Sequence, residues 1–275
     1  MAGTEKPRLH EFALNGTKAI MIDTPGFDDT FRTDADVLQD VAEVLEVTYN
    51  CNMKLTGIIY LHRIIDPRMT HGGMRNLAMF RKLCGAEPMS NVVLGTTFWS
   101  EVKLPIAELR ENELRTSTDP DYWAEMIEEG ARMVRYDNTQ AGAKAIVLDM
   151  VSRGRINLQI QTEMCDRGLS LADTQAGVAL NNELAQLAKQ HAEELAKVQK
   201  EMQAAIEAQD TKMHSALKRQ STKYEEKVNE MYAQQEVLKA DRRNEMRALE
   251  QEFDRRLRRI VSEQEVWCST SSMAT

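Results

Sequence analysis

The order of apolar and polar residues predicts that the chain opens with an antiparallel β-hairpin. Leu9 to Leu14 has the pattern of a short strand, and Thr17 to Ile22 has that of its return strand. Between them stands Asn15-Gly16, a residue pair that strongly favours a two-residue turn.

Strand and helix patterns alternate after the hairpin. Apolar residues recur at spacings of three and four from Val37 to Thr48, which predicts a helix capped by Thr33 or Asp34. The patterns that follow are a strand at Leu55–Leu61, a helix at Met74–Leu83, a strand at Asn91–Gly95, mainly helix over Leu104–Glu129, a strand at Ala131–Tyr136 and a helix at Ala141–Val151. This alternation predicts a largely parallel sheet wrapped by helices.

The pattern changes in the second half of the chain. Periodicity weakens over residues 153–177, where Gly, Asp, Ser and Thr accumulate, so this stretch is predicted to be a connector. Residues 178–261 contain neither proline nor glycine. We therefore expect one continuous coiled-coil helix over residues 178–262, roughly 120 Å long at 1.5 Å per residue. A disordered tail over residues 263–275 is expected to follow.

The apolar residues of the expected helix form a stripe. Leu184, Leu195, Ile206, Leu217 and Val228 stand eleven residues apart, and Met213 belongs to a parallel series. This spacing gives about 3.67 residues per turn, which favours a straight or slightly right-handed supercoil. The stripe is predicted to pack on a partner helix, and self-association of two chains is the simplest arrangement. A free helix held by charge pairs is the alternative.

Composition limits the function classes. Of the 275 residues 42% are apolar and 28% charged, and no apolar run reaches the roughly 20 residues that a membrane span needs. The net charge of −8 lies mainly in the first 179 residues, which hold 19 Lys/Arg against 26 Asp/Glu. This balance argues against nucleic-acid binding by bulk electrostatics. The scattered cysteines and the absence of a targeting pattern predict a cytoplasmic protein without a zinc site or disulfides.

The most specific chemistry lies in the segment IMIDTPGFDDT, from Ile20 to Thr30. Nucleotide hydrolases place a strand that ends in Asp-x-x-Gly beside Mg²⁺. The carboxylate holds the water shell of the ion, and the glycine lets a backbone N–H approach the terminal phosphate. Asp23 and Gly26 occupy these positions. The alternative is an ordinary strand-to-helix turn in which Asp23 is only a cap.

Several motifs in the same order resemble a known family. DTPGFDDT is followed by GIIYLHRIIDPRM, RNLAMFRKLCG, NVVLGTTFW and RENEL. Over about residues 8–152 they resemble a fungal group of G-domain proteins related to the AIG1-type and septin-type P-loop GTPases. The resemblance implies GTP and Mg²⁺ as ligands, with Asp23, Thr24 and Gly26 at the nucleotide and Asp23 linked to the metal. Phe27 stands where many GTPases have a water-orienting glutamine, which implies slow hydrolysis.

Two departures from the family pattern change this expectation. The base-reading motif, Asn/Thr-Lys-x-Asp, falls on Thr96-Thr97-Phe98-Trp99, so the carboxylate that accepts the N–H donors of guanine is missing. The resemblance places Thr96, Thr97 and Trp99 at the base, where Trp99 either stacks on it or is a half-buried core residue. In addition, no segment matches Gly-x-x-x-x-Gly-Lys-Ser/Thr, the Walker A loop that binds the phosphates.

Weaker candidates follow two other predicted strands. His62 and Arg63 come after an apolar strand, although a structural role is the simpler interpretation for them. Asn138 and Thr139 follow the last predicted strand, where they could face a base.

The missing loop also has a structural consequence. In this family the strand before the loop lies inside the sheet, between the strands that here end at Asp23 and Leu61, so its absence would leave two unpaired inner edges. We therefore expect a P-loop GTPase-type α/β domain over residues 1–152 that lacks its first strand and loop. Either the sequence is N-terminally truncated or another chain fills the gap. Guanine-nucleotide binding would be weak and hydrolysis slow or absent; the rival interpretation is a non-catalytic coiled-coil scaffold with a remnant GTPase domain.

Overall fold

The computed structural model describes residues 4, 6–14, 17–27, 32–66, 71–117, 122–208, 210–240, 247–253 and 255. Its strands are β1 (Arg8–Leu14), β2 (Thr17–Asp23), β3 (Ile58–Arg63), β4 (Val92–Thr97) and β5 (Arg132–Arg135). Its helices are α1 (Asp34–Asn50), α2 (His71–Cys84), α3 (Leu104–Thr116), α4 (Ala124–Glu128), α5 (Gln140–Val151), α6 (Gln159–Gln161), α7 (Gln175–Glu207) and α8 (Thr211–Lys239). Residues 247–253 are also helical. The turn expected at Asn15-Gly16 and the tail expected over residues 263–275 lie outside the described residues.

The predicted hairpin is confirmed, and it forms a sheet of its own. β1 and β2 pair antiparallel, with Arg8 opposite Asp23 and Leu14 opposite Thr17. In the described part of the chain, β2 pairs with β1 alone. The hairpin is therefore joined to the other elements by side-chain packing and not by a shared sheet.

The second sheet contains the parallel strands that the alternation predicts. Its order is β3-β4-β5, and both pairings are parallel. Val92, Val93 and Leu94 of the central strand are buried, as expected for a strand covered on both faces. β3 lies at one edge of the sheet as described, and Leu61 near its end is 62% exposed.

Helices pack against this sheet and build the main core. α1 begins where the sequence predicts, because the Thr33 hydroxyl accepts a hydrogen bond from the Asp36 amide at 3.2 Å in a capping box. α2 ends before Gly85, whose φ of 79° is the left-handed conformation that commonly closes a helix. Trp123, just before α4, is fully buried edge-on to Tyr60 of β3, with ring centroids 6.3 Å apart. These contacts fix the helices around the carboxyl end of β3.

The stretch predicted to be a connector is packed into this core. Leu158 and Ile160 are fully buried, and a π-helical turn runs from Thr162 to Asp166. The buried side chain of Gln161 donates a hydrogen bond to the backbone oxygen of Leu45 in α1 at 2.8 Å. The weak periodicity here therefore reflects a series of short helical turns.

The prediction of one continuous helix is wrong. α7 ends at Glu207, and the Asp210 side chain caps a new helix by accepting a hydrogen bond from the Met213 amide at 2.9 Å. α7 and α8 lie antiparallel, since Gln235 Nε2 near the end of α8 donates to Asn181 O near the start of α7 at 3.3 Å. The two form a helical hairpin within the chain, here called the α7–α8 hairpin.

The apolar stripe packs inside the α7–α8 hairpin. Val198, Ala205 and Leu217 form a buried cluster, whereas Ile206 and Met213 of the eleven-residue series are 50% and 52% exposed. One series of buried and half-buried positions in α7 recurs at four and three residues, the spacing of a left-handed helix pair; it comprises Leu184, Ala188, His191, Leu195, Val198, Met202 and Ala205. The eleven-residue series lies on the buried or half-buried face at Leu184, Leu195, Leu217 and Val228 and departs from it at Ile206.

Candidate functional site

The carboxyl ends of β3, β4 and β5 form one edge of the parallel sheet, here called the carboxyl edge. The register places His62 opposite Thr96, Arg63 opposite Thr97, and Thr96 opposite Arg135. Open α/β sheets bind their ligands outside the carboxyl ends of their strands. Three of the predicted site residues, Thr96, Thr97 and Trp99, lie at this edge and are therefore brought together.

Hydrogen bonds fix the turn after β4. Trp99 Nε1 donates to Thr96 O at 3.2 Å and to Thr96 Oγ1 at 3.0 Å, and Thr96 Oγ1 donates to Val134 O at 3.2 Å. Thr97 Oγ1 donates to His62 O at 3.2 Å. Phe98 between them has a φ of 62°, in the left-handed region. The polar atoms that the sequence points to at this turn are thus used to hold the turn itself.

Arg135 of β5 covers one face of Trp99. Its guanidinium carbon lies 4.3 Å from the centre of the indole ring, a cation–π contact. Arg135 Nε donates to Glu111 Oε1 at 2.8 Å, and Nη2 bonds the second carboxylate oxygen. This hydrogen bonding to Glu111 raises the pKa of Arg135. Trp99 itself is half-buried and packs against the main core, so only part of the indole remains exposed to a planar ligand.

The loop after β5 places an exposed carboxylate at the same edge. Asp137 Oδ1 accepts hydrogen bonds from the Thr139 hydroxyl at 2.7 Å and the Thr139 amide at 3.0 Å, which lower the pKa of Asp137. The Thr139 hydroxyl also caps α5 by accepting from the Gly142 amide at 2.9 Å. Asn138 is exposed, with a φ of 59°. Sequence reasoning missed Asp137, although its position directly after a parallel strand was a usable signal.

His62 and Arg63 have structural partners. The imidazole of His62 lies edge-on to Trp123, with ring centroids 5.8 Å apart, and burial lowers the pKa of His62. Arg63 donates to both carboxylate oxygens of Asp66, each at 3.1 Å. These contacts agree with the simpler, structural interpretation of both residues.

The Asp-x-x-Gly segment follows β2. Asp23 Oδ2 accepts a hydrogen bond from Thr4 Oγ1 at 2.7 Å. Asp23, Thr24 and Gly26 are exposed, whereas Pro25 between them is buried. A Cβ built on Gly26 meets nothing within 4 Å, and its φ lies outside the left-handed region. Neither backbone conformation nor packing of the described residues therefore requires glycine at this position.

The predicted site residues thus fall into two groups. Asp23, Thr24 and Gly26 lie at the end of the β1–β2 hairpin, and the hydrogen bond of Asp23 leads to the N-terminal residues. The bonds of Thr96 and Trp99 stay on the carboxyl edge. Among the described residues, no hydrogen bond joins one group to the other.

Asp23, the predicted Mg²⁺ residue, is not part of any cluster of three or more metal-ligating side chains among the described residues. None of the described helices combines the length and apolar character that crossing a membrane requires.

Comparisons with known proteins give partial structural likeness. No protein-family model matches the sequence, and no curated protein does. One solved structure with partial likeness is a dimerization-deficient mutant of Toc33 from Arabidopsis thaliana, with 15% identity, a TM-score of 0.38 and coverage of 49% of this chain. Another is Toc33 from Arabidopsis thaliana in complex with Mg²⁺ and GMPPNP, with 16% identity, a TM-score of 0.43 and coverage of 57% of this chain and 76% of that one. The chain spans 57% of the length of the first of these structures. Because TM-scores below 0.5 do not establish a shared fold, function has to be argued from the residues of this chain.

Proposed function

We propose that this chain supplies most of a guanine-nucleotide-binding domain of the P-loop GTPase type, located in the cytoplasm and slow in hydrolysis. The observation that carries the proposal is the segment Asp23-Thr24-Pro25-Gly26, which begins at the last residue of β2 and is exposed at three of its four residues. A carboxylate and a sterically open glycine three residues apart are what a Mg²⁺-phosphate group requires. Phe27 in place of a water-orienting glutamine supports slow hydrolysis.

Gly26 supports a ligand-binding role for this segment, because the folded chain itself does not require glycine at this position. An alanine fits at this position, since its Cβ would meet nothing within 4 Å. A glycine is needed here only when a ligand approaches the backbone closely. We therefore expect Gly26→Ala to leave the free energy of unfolding unchanged and to weaken nucleotide binding.

Asp23 is the residue proposed to hold Mg²⁺. Mg²⁺ is usually bound by one or two carboxylates together with waters and phosphates, so one exposed carboxylate fits this role. When bound, the ion would neutralise charge on the terminal phosphates. Thr24 would lie beside the same phosphates. The phosphate-binding lysine loop has no match in this chain.

The carboxyl edge is proposed to receive the base. The Thr96 hydroxyl and the Trp99 N–H already have partners at 3.2 Å and 3.0 Å, so they contribute shape more than hydrogen bonds to a base. Trp99 would stack on the base with the part of its half-buried ring that remains exposed. Thr97 would line the same edge.

A strand with a phosphate-binding loop has to be supplied at the free edge of β3. β3 pairs only with β4 among the described strands, and Leu61 is 62% exposed beside that edge. An edge strand with exposed apolar residues is a template for a further strand. We infer that this strand comes either from residues that precede the present sequence or from another polypeptide.

Calorimetric titration of nucleotide-free protein with GTP and Mg²⁺ tests the proposal. The chain alone should not bind with submicromolar affinity, because loop amides and the loop lysine normally supply most phosphate contacts. Submicromolar affinity would contradict the need for a supplied loop. A chain extended by the coding sequence upstream of Met1 should bind, Asp23→Ala should remove its Mg²⁺-dependent binding, and Gly26→Ala should weaken binding, both without loss of stability. If the extended chain binds and Asp23→Ala keeps its Mg²⁺ dependence, the assignment of Asp23 fails. An extended chain that does not bind would contradict a strand supplied by preceding residues.

The second candidate is a non-catalytic scaffold that self-associates through its helices. The α7–α8 hairpin uses most of the apolar stripe within the chain, yet Ile206, Met213 and Tyr232 remain 50%, 52% and 56% exposed. These side chains would have to form the contact between chains. Sedimentation velocity at tens of micromolar separates the candidates, because a scaffold of this kind should be dimeric with or without nucleotide.

A further inference from the structure

The β1–β2 hairpin has to be held in place by side chains. A two-stranded hairpin alone is at best marginally stable in water. In the described residues neither β1 nor β2 pairs with the three-stranded sheet. The contacts on its face therefore help to determine where the hairpin lies, and with it the start of the segment from Asp23 to Gly26, whose other end is held by buried Pro25 and by Phe27 packed on the main core.

Those contacts form a small core separate from the main one. Leu9 and Ile22 are directly opposite each other on β1 and β2. Both pack against a cluster of Val44 and Val47 of α1 and Phe253 of the C-terminal helical segment 247–253. Phe253 is 1% exposed. The aromatic ring thus closes the space between the hairpin and α1.

Polar side chains also lie between segment 247–253 and α1. Asn50 Nδ2 donates to Glu250 Oε1 at 3.4 Å, a long hydrogen bond between exposed side chains. Glu250 also faces Glu46 of α1, and burial together with this like charge raises the pKa of Glu46. These like charges oppose docking, whereas the apolar side chains of Leu249 and Phe253 favour it by packing in the cluster.

The docked segment does not fill the groove completely. A cleft of about 240 Å³ remains beside it, and it is lined by Pro7, Arg8, Leu9, His10, Ile22, Val44, Leu249, Glu252 and Phe253. Incomplete packing forfeits dispersion contacts on the lining atoms. The contact of segment 247–253 with the hairpin and α1 is therefore expected to depend on one side chain, that of Phe253.

We propose that segment 247–253 is an intramolecular clamp, anchored by Phe253, that fixes the β1–β2 hairpin on α1 and thereby positions the Asp23–Gly26 segment. Because Asp23 is the residue after Ile22, release of the clamp loosens that segment. A partner that binds segment 247–253 would in this way change the position of the Asp23–Gly26 segment without contacting it. The clamp does not depend on nucleotide binding and holds whether or not that proposal is correct.

Hydrogen exchange followed by mass spectrometry on the full chain tests the clamp. Phe253→Ala should speed exchange of the β1 and β2 amides at least tenfold and leave the α7 and α8 amides unchanged. Leu217→Ala is the matched control, since Leu217 is also buried but lies in the α7–α8 hairpin. It should speed exchange in α7 and α8 and leave β1 and β2 unchanged.

A milder variant covers the case in which the alanine variant unfolds. Phe253→Leu keeps an apolar anchor and should speed exchange of the same β1 and β2 amides by a smaller factor. Slow exchange of β1 and β2 in both Phe253 variants would overturn the clamp. Equal acceleration in β4 and in the hairpin by Phe253→Leu would also overturn it, because it would show global and not local loosening.

Discussion

The antiparallel α7–α8 hairpin predicts a short distance where a continuous helix predicts a long one. Gln235 Nε2 bonds Asn181 O at 3.3 Å, so Gln186 and Glu230, five residues inward on each helix, lie side by side. Packed helices have axes about 8–10 Å apart. In one straight helix the same 44 residues would span about 66 Å at 1.5 Å per residue.

Pulsed electron resonance measures this difference directly. Genetically encoded spin-labelled residues at positions 186 and 230 leave the native cysteines untouched. Allowing for the label side chains, we expect a distance of roughly 20–30 Å from the helix separation. Dilution with unlabelled protein should not change the signal, because both labels belong to one chain.

A charge in the buried cluster should open the α7–α8 hairpin. Leu217 is 7% exposed and packs with Val198 and Ala205. Burial of a leucine contributes about 1.5–3 kcal/mol, and an unpaired buried carboxylate adds a further desolvation cost. Leu217→Asp should therefore broaden the distance distribution towards long values. Met213→Asp, on the same helix but 52% exposed, is the matched control and should leave it unchanged.

Two results would refute the hairpin. A principal distance near 66 Å, the value for a straight helix, would restore the continuous helix. A short distance that disappears on dilution with unlabelled protein would assign the contact to two chains. In that case the α7–α8 pairing would be a dimer interface, as the sequence first suggested.

Three further predictions concern stability and are measured by urea unfolding. Gly177→Ala should lower the free energy of unfolding by about 1–3 kcal/mol despite the higher helix propensity of alanine, because its Cβ would overlap the Leu171 carbonyl oxygen. The control Gly154→Ala has open space for its Cβ and should leave the free energy of unfolding unchanged. Equal effects of the two substitutions would refute the overlap. Burial lowers the pKa of His62, so the unfolded chain binds more protons than the folded chain. The free energy of unfolding should therefore fall as pH drops below about 6.5. His62→Gln should reduce this dependence of the free energy of unfolding on pH, and an unchanged dependence would exclude His62 as its cause. Glu111→Ala should lower the free energy of unfolding by about 1–3 kcal/mol, because it removes a buried carboxylate paired with the Arg135 guanidinium that lies over the Trp99 indole. A change within experimental error would count against that pairing.

Local patterns were sufficient for much of the α/β part. The apolar run before Gly95 could only be a buried strand once turn residues bounded it, and the structure has β4 there. Thr33 was recognisable as a cap because an acidic residue stands three positions later. Asn15-Gly16 between two strand patterns predicted the pairing of β1 and β2. Each of these signals acts over a few residues.

The helical half shows why the remaining features were not predictable. The apolar residues fit both an eleven-residue and a seven-residue period over this length, and only the packing partner decides which face is buried. Asp210 was a readable N-cap, but an aspartate within a run of good helix formers is equally compatible with a continuous helix. The antiparallel contacts include residues 54 positions apart, as Asn181 and Gln235 show.

The candidate site also combines features that the sequence predicts with features that it does not predict. Thr96, Thr97 and Trp99 were predictable as neighbours because they follow one another at the end of one predicted strand, and that end was predictable as an edge position. Their partners Glu111 and Arg135 come from distant elements, and no spacing rule connects them. The place of Asp23 relative to that edge depends on packing of the hairpin and not on strand pairing, so no sequence period specifies it.

The clamp and the supplied strand are two different ways of holding the β1–β2 hairpin in place, and they can be distinguished by experiment. A strand that fills the gap between β2 and β3 would pair with both free edges and hold the hairpin by backbone hydrogen bonds. The hairpin would then no longer need Phe253. In a chain extended by upstream coding sequence, Phe253→Ala should therefore leave exchange of the β1 and β2 amides slow, whereas it speeds exchange in the present chain. Equal acceleration in both forms would show that no strand enters between β2 and β3, and the phosphate loop would have to reach Asp23 by another route.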